Sequence, residues 1–288
     1  MNGQYRTRMT RSLLIVNERS GSFDPALVEA LEQRFVQAGS PLGRRLVLGK
    51  EDLPDAASAT AQGLDLIVIL TGDGTVSSAA DALAGWDGTL LVLPGGTMNL
   101  LSHALHGALG AEAIVEAYLA GEGTALTVPM IRAGALTAYC GVIAGPTALW
   151  GDVREDLRNG DLASLGETVP RALNATLKAP GVRLEGEDEE EFPALYLEPW
   201  QDGIHAYGIQ AAGAGDLLRH GLAWLKGDFR EGPSRIVSVE TDLGVLTGGE
   251  RLELLVDGER EDAAAPLRAR WAQSPVHFHS VRGAHRWR

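Results

Sequence analysis

The chain is poorest in cysteine and lysine: Cys140 is its single cysteine, and Lys50, Lys178 and Lys226 are its only lysines. One cysteine excludes an intrachain disulfide and any cysteine-based zinc cage. It sits in the apolar stretch AYCGVIAG, where a buried, inert thiol is expected. Positive charge is also scarce, with 25 Lys and Arg against 38 Asp and Glu and a net charge of −13. That balance argues against a nucleic-acid binder and against broad electrostatic attachment to anionic lipid. No apolar run approaches the roughly 18 residues that a membrane-spanning helix needs. The basic opening stretch leads into only about five apolar residues, too few for a signal peptide, so a cytoplasmic protein is expected. What is present, 45% hydrophobic and 22% charged residues, is an ordinary globular balance. The length, 288 residues, predicts two domains.

The first 125 or so residues repeat one pattern three times: an apolar run, a Gly-rich or polar loop, then a helix. Leu13–Val16 is continuously apolar, as a strand buried on both faces should be. A helix follows, with Asp24 as N-cap, Pro25 at its first position, and Leu27, Leu31 and Phe35 on one face, ending at Gly39. The second unit is the strand Leu66–Leu70, the loop Thr71-Gly72-Asp73-Gly74-Thr75 and an Ala-rich helix to Leu83. The third is the strand Leu90–Leu93, the loop Pro94 to Asn99 and a helix from Leu100; one more helix spans Ala111–Leu119. Strands alternating with helices predict an α/β domain over residues 1–128 with a parallel sheet.

After Val128 the pattern changes. Helical stretches are expected near 149–157, 165–177 and 217–225. Strands are expected at 194–197, 203–209, 235–240, 252–256 and 276–281. In the last, Val276 and Phe278 alternate with His277 and His279, the period of a half-buried strand. Residues 129–288 therefore read as a mainly antiparallel β domain, whose final stretch has the option of packing back on the first domain.

The three loops at strand C-termini are candidate phosphate sites, because glycines let the backbone approach an anion and helix starts supply free N–H donors. Familiar fingerprints fail. Ser77 stands where the dinucleotide motif needs its third glycine, and Gly43 to Lys50 has the wrong spacing for a P-loop and Glu51 at its magnesium position. No G-x-S-x-G elbow is present.

The ordered set NERSG at 17–21, TGDGT at 71–75 and PGGTMN at 94–99, continued by QDGIHAYGI at 201–209 and LLVDGE at 254–259, resembles the bacterial diacylglycerol-kinase-like lipid kinases. The resemblance implies the two-domain fold shared with NAD kinases, a cleft active site, ATP and Mg2+ as cofactors, and a lipid alcohol as acceptor. It implies an ATP site lined by Asn17, Arg19, Ser20, Gly21, Thr71, Gly72, Gly74, Thr75, Gly96, Thr97 and Asn99, with Asp73 near the phosphates and magnesium. Asp202 would match a structural metal ligand, joined by Asp257, and Glu259 the general base that takes the acceptor's proton. Transient contact with a membrane surface follows from the acceptor, and a homodimer stays open. At two positions where many relatives carry aspartate this chain has Leu100 and Pro129.

Chemically the set is coherent: phosphoryl transfer needs alignment, donors around the phosphates, magnesium and a proton acceptor. Glu259 stands two residues from Asp257, which on an extended strand would aim both carboxylates at one face and raise one pKa by repulsion. Each piece also has a plainer reading. Asp257-Gly258 is a hairpin-turn signal, Asp202-Gly203 reads equally as a turn, and Gly72 and Gly74 fit a tight strand-to-helix connection. His103 and His106 read as solvated helix histidines. A non-catalytic nucleotide-binding protein on the same scaffold, and an NAD kinase, are the competing functions.

Overall fold

The computed structural model of the chain describes residues 11–20, 22–145, 164, 167–171, 174, 180–186, 190–209 and 234–283. The helices expected at 149–157 and 217–225, and most of that at 165–177, lie outside the described residues. The chain divides into two compact units, one drawn from Met1–Val128 with Ser274–Arg286 and the other from Pro129–Gln273.

The first unit is built on β1 (Ser12–Val16), β2 (Arg44–Val47), β3 (Leu66–Thr71), β4 (Thr89–Pro94), β5 (Thr124–Leu126) and β17 (His277–Ser280), in the sheet order β2-β1-β3-β4-β17-β5. All neighbours are parallel except β17 and β5. β1 and β3 are buried at every position, which is why their sequences are unbroken apolar runs. Helices α1 (Pro25–Gln37) and α5 (Ala111–Leu119) close one face, packing Val28, Leu31, Phe35, Ile114 and Val115 on Leu14, Val16, Val68 and Leu91. The α1 stripe is headed by Val28; Leu27 is only partly buried. As expected, Asp24 caps α1, its carboxylate accepting the Ala26 N–H at 2.9 Å. The alternate residues Leu13, Ile15, Ile67, Ile69, Leu90 and Val92 are equally buried and point to the opposite face. Further helices are α2 (Ala56–Ala61), α3 (Asp73–Ala82) and α4 (Leu100–His106).

Around β17 the expected alternation holds at Val276, His277 and Phe278, with His277 exposed, and fails at His279. Phe278 and Ser280 are fully buried and His279 nearly so, because the strand lies between β4 and β5. Its end is tied to α4, with the Ser280 hydroxyl donating to the Leu105 carbonyl at 2.6 Å. Val128 and Ser274, where the chain leaves and re-enters this unit, hydrogen-bond to each other.

The reading of His106 as a solvated histidine is overturned: it is 1% exposed, and its Nε2 has no hydrogen-bond partner among the described residues. Burial, reinforced by His279, pushes the imidazole down to about 4 from its ordinary 6.5. Burial also lowers His279, whose Nε2 lies 2.9 Å from the Glu122 carbonyl. The consequence has a definite sign. Below pH 6.5 the unfolded chain takes up a proton that folded His106 refuses, so stability is lost as pH falls towards 4. The expected loss is about 3 kcal/mol by pH 4. Chemical denaturation at pH 7.5 and 4.5 should show it, and His106→Asn should flatten the slope.

The second unit holds two antiparallel sheets. One has the order β12-β11-β10-β8-β14-β15: β8 (Val142–Ala144), β10 (Leu195–Trp200), β11 (Gly203–Ile209), β12 (Ser234–Glu240), β14 (Arg251–Val256) and β15 (Glu259–Ala264). The other has the order β7-β6-β16-β13-β9: β6 (Pro129–Ala133), β7 (Leu136–Ala138), β9 (Val182–Leu184), β13 (Asp242–Thr247) and β16 (Leu267–Gln273). Ile131, Val182, Val245 and Ala269 of one sheet share a core with Val142, Leu197, Ile204 and Leu254 of the other. An α/β unit with a mostly parallel sheet and an antiparallel β unit is the architecture expected.

Candidate functional site

β1, β3 and β4 are neighbours in one parallel sheet, so the loops that leave their carboxyl ends lie side by side. Those loops are the three singled out in the sequence, and side chains lace them together.

Asn17 folds the first loop, its side-chain oxygen accepting the Arg19 N–H at 3.0 Å. The Ser20 and Ser22 hydroxyls reach the Gly95 carbonyl of the third loop at 3.2 and 2.8 Å. Gly21 lies outside the described residues. In the third loop Asn99 adopts a left-handed conformation, φ 53°, and clasps Gly96 twice, accepting its N–H at 2.7 Å and donating to its carbonyl at 2.9 Å. Thr97, at the crest, is exposed. In the second loop Gly72 is the N-cap of α3 without a side-chain cap bond, and its carbonyl accepts the Thr75 N–H at 3.1 Å. The Thr71 hydroxyl donates to the same carbonyl at 3.3 Å, and the Gly74 carbonyl accepts from Ser78 at 2.9 Å.

Asp73 joins the second loop to the third. Its two carboxylate oxygens accept the Leu100 and Leu101 N–H groups, each at 3.0 Å, so it caps α4 from a different element. Asn99, the residue preceding that helix, makes no side-chain cap bond. The glycines allow this approach. A methyl on Gly96 would stand 2.6 Å from the Gly72 Cα, and one on Gly95 would stand 2.5 Å from the Leu70 carbonyl carbon. Since both obstacles are backbone, Gly96→Ala must push the second and third loops apart. The expected cost is about 1–3 kcal/mol, read as a lower thermal midpoint together with weakened nucleotide binding.

One cation went unnoticed in the sequence. Lys50, in the loop after β2, pairs with Glu18 of the first loop at 2.6 Å. The Arg19 guanidinium lies over Gly49 beside it, 3.3 Å from where a Cβ would stand. Since β2 runs parallel to β1, the loop after it had to emerge at the same sheet end, and that signal would have found Lys50.

The remaining candidates belong to the second unit. Asp202 lies in the β10–β11 turn with its side chain 68% exposed. Its carboxylate bonds His205 Nε2 at 2.8 Å, an interaction that holds it below the usual carboxylate range. Asp257 overturns the expectation of two carboxylates on one strand face. It and Gly258 are the two-residue connection between β14 and β15, with φ of 48° and 86°. Positive φ at both central residues marks a type I′ hairpin turn, so Asp257 is no part of an extended strand. It is buried, whereas Glu259, first residue of β15, is exposed. The Asp257 oxygens accept three backbone N–H groups, from Tyr139, Cys140 and Gly141.

A separate protein-held magnesium on Asp202 and Asp257 does not fit this geometry. β10 and β14 flank β8, with Leu197 and Val256 both opposite Val142, and β10 then continues to Trp200 before its turn. Among the described residues no group of three or more His, Cys, Asp or Glu is placed to hold a metal. A magnesium brought by nucleotide phosphates asks for less, one or two carboxylates; of the two carboxylates at these loops Glu18 is paired with Lys50, and Asp73 lies at the start of α3.

Residues 11–131 match the diacylglycerol kinase catalytic domain family, which bears out the resemblance read from the loops. The chain is similar in fold to a diacylglycerol kinase from Bacillus anthracis, at 19% identity and a TM-score of 0.63, covering 96% of this chain and 98% of that one. A second structure from that organism gives 17% identity and the same TM-score over 95% of this chain and 98% of that one. Yeast NADH kinase complexed with NADH aligns at 11% identity and a TM-score of 0.50, over 95% of this chain and 84% of that one. No curated protein matches in sequence.

Proposed function

Proceeding from that catalytic domain, we propose that the chain is an ATP- and magnesium-dependent lipid kinase, transferring the γ-phosphoryl group to the hydroxyl of a diacylglycerol-like or sphingoid alcohol. The observation that carries the reading is the convergence of three loops at adjacent parallel strand ends, cross-tied through Gly95, Gly96 and Asp73. Such loops offer backbone donors to phosphate oxygens, and Arg19 and Lys50 add cations at one flank. Magnesium, when bound with the nucleotide, spreads charge between β- and γ-oxygens. In this reading Asp73 is its protein contact, and Glu259 takes the proton as the acceptor oxygen bonds to phosphorus and ADP leaves.

A second reading, a nucleotide-binding protein that no longer catalyses, draws on Leu100 and Pro129 in place of aspartates. It also draws on the engagement of Asp73 by two amides. Transfer of labelled γ-phosphate from ATP to a panel of lipid alcohols, with and without magnesium, separates the two. Product on any lipid supports the kinase; ATP binding without turnover selects the second reading. Phosphorylation of NAD in place of a lipid would overturn both.

A further inference from the structure

We infer that Asp257 is a positioning residue for Glu259, acting through the backbone of residues 139–141. The inference rests on the reading of Glu259 as the base, but its structural half stands on separate observations. A type I′ turn needs no help from its side chains, and its residues are ordinarily exposed. Here Asp257 is only 7% exposed. Its carboxylate accepts the N–H groups of Tyr139, Cys140 and Gly141 at 2.7, 2.7 and 2.9 Å. Its own N–H donates to the Gly141 carbonyl at 3.0 Å. The head of the hairpin is therefore fastened to the segment leading into β8, the neighbour of β14.

That segment is itself braced. The Tyr196 hydroxyl donates to the Cys140 carbonyl at 3.0 Å. Gly141 adopts φ 148°, and a Cβ there would stand 2.5 Å from the Tyr196 ring. Glu259, by contrast, opens β15, which among the described residues is an edge strand with β14 as its one ladder partner. An exposed carboxylate on an edge strand inherits its position from the turn before it, and Asp257 ties that turn to the sheet interior. Three N–H donors converging on two oxygens favour a carboxylate, which accepts at both. Asn would turn an amide NH2 towards at least one of them, and Gly would leave all three without their acceptor.

The test compares wild type, Asp257→Gly, Asp257→Asn and Glu259→Gln. Gly tolerates the left-handed backbone, so it removes the carboxylate with little conformational penalty. Asn, also tolerant of that backbone, is the second variant should the Gly form not fold. Expected for either Asp257 variant is a kcat about 10²-fold lower, the scale of a 1 Å misplacement, with KM for ATP unchanged. Formate should restore part of the rate in Asp257→Gly, by seating on the vacated amides, and none in Glu259→Gln. Hydrogen exchange at the 139–141 amides should quicken in Asp257→Gly and slow again with formate. A kcat within twofold of wild type, or equal losses in kcat and stability with no response to formate, overturns the positioning role. If wild type transfers no phosphate, the kinase reading has failed instead, and exchange at 139–141 alone decides whether the anchor exists.

Discussion

Glu259→Gln is expected to lower kcat for phosphoryl transfer by about 10²–10⁴-fold, the range that general base catalysis supplies. Gln keeps the length and shape of the side chain and removes only its capacity to accept a proton. Glu259 is exposed at the start of β15, so the substitution should move stability by no more than about 0.5 kcal/mol. ATP affinity should hold as well, since in the proposed reading Glu259 acts on the acceptor hydroxyl. Calorimetric titration with ATP, thermal unfolding and single-turnover transfer to a lipid alcohol make the comparison. A variant that retains more than a tenth of the wild-type rate would place the base elsewhere.

For Asp73→Asn the expected damage is to stability and nucleotide binding together. Asp73 accepts the Leu100 and Leu101 N–H groups on separate oxygens, and Asn can replace only one of them. The displaced amide loses its partner and faces an NH2 group, at a cost of about 1–3 kcal/mol. In a protein of this size that is roughly 2–10 °C in thermal midpoint. With the tie between TGDGT and α4 loosened, the third loop is no longer held against the second, and ATP should bind at least about tenfold more weakly. An unchanged midpoint would mean that the carboxylate does not cap α4 in solution. Asp73→Glu offers a useful contrast: its charge is right and its reach is wrong.

What could be read from the sequence was whatever is local. β1, β3 and β4 announced themselves as unbroken apolar runs between loops, and Asp24-Pro25 marked the start of α1. The three loops were legible because glycine spacing and strand order together leave few alternatives. β2 was not, since Arg44 and Arg45 make half of it polar, nor was β15, whose Glu-Arg-Glu-Asp run has no apolar face to bury. β6, β7 and β8 lie in one apolar stretch without a period, where nothing marks the turns but Gly134 and Gly141. For Asp257 two local rules competed, strand alternation and the Asp-Gly hairpin turn, and the turn prevails. The capping of α4 by Asp73 spans 27 residues of sequence, and no spacing rule reaches that far.

β17 has a consequence for the order in which the protein is made. It lies between β4 and β5, yet about 150 residues separate it from β5, a gap that ribosomes cross in roughly 8–30 s at ordinary elongation rates. Throughout that interval the nascent α/β unit lacks an inner strand, and the apolar edge of β4 stands unpaired. The strands of the β unit, all within residues 129–273, will have emerged by then. The unit encoded first is therefore finished last, and exposed β4 is the point at which a nascent-chain chaperone has most to protect.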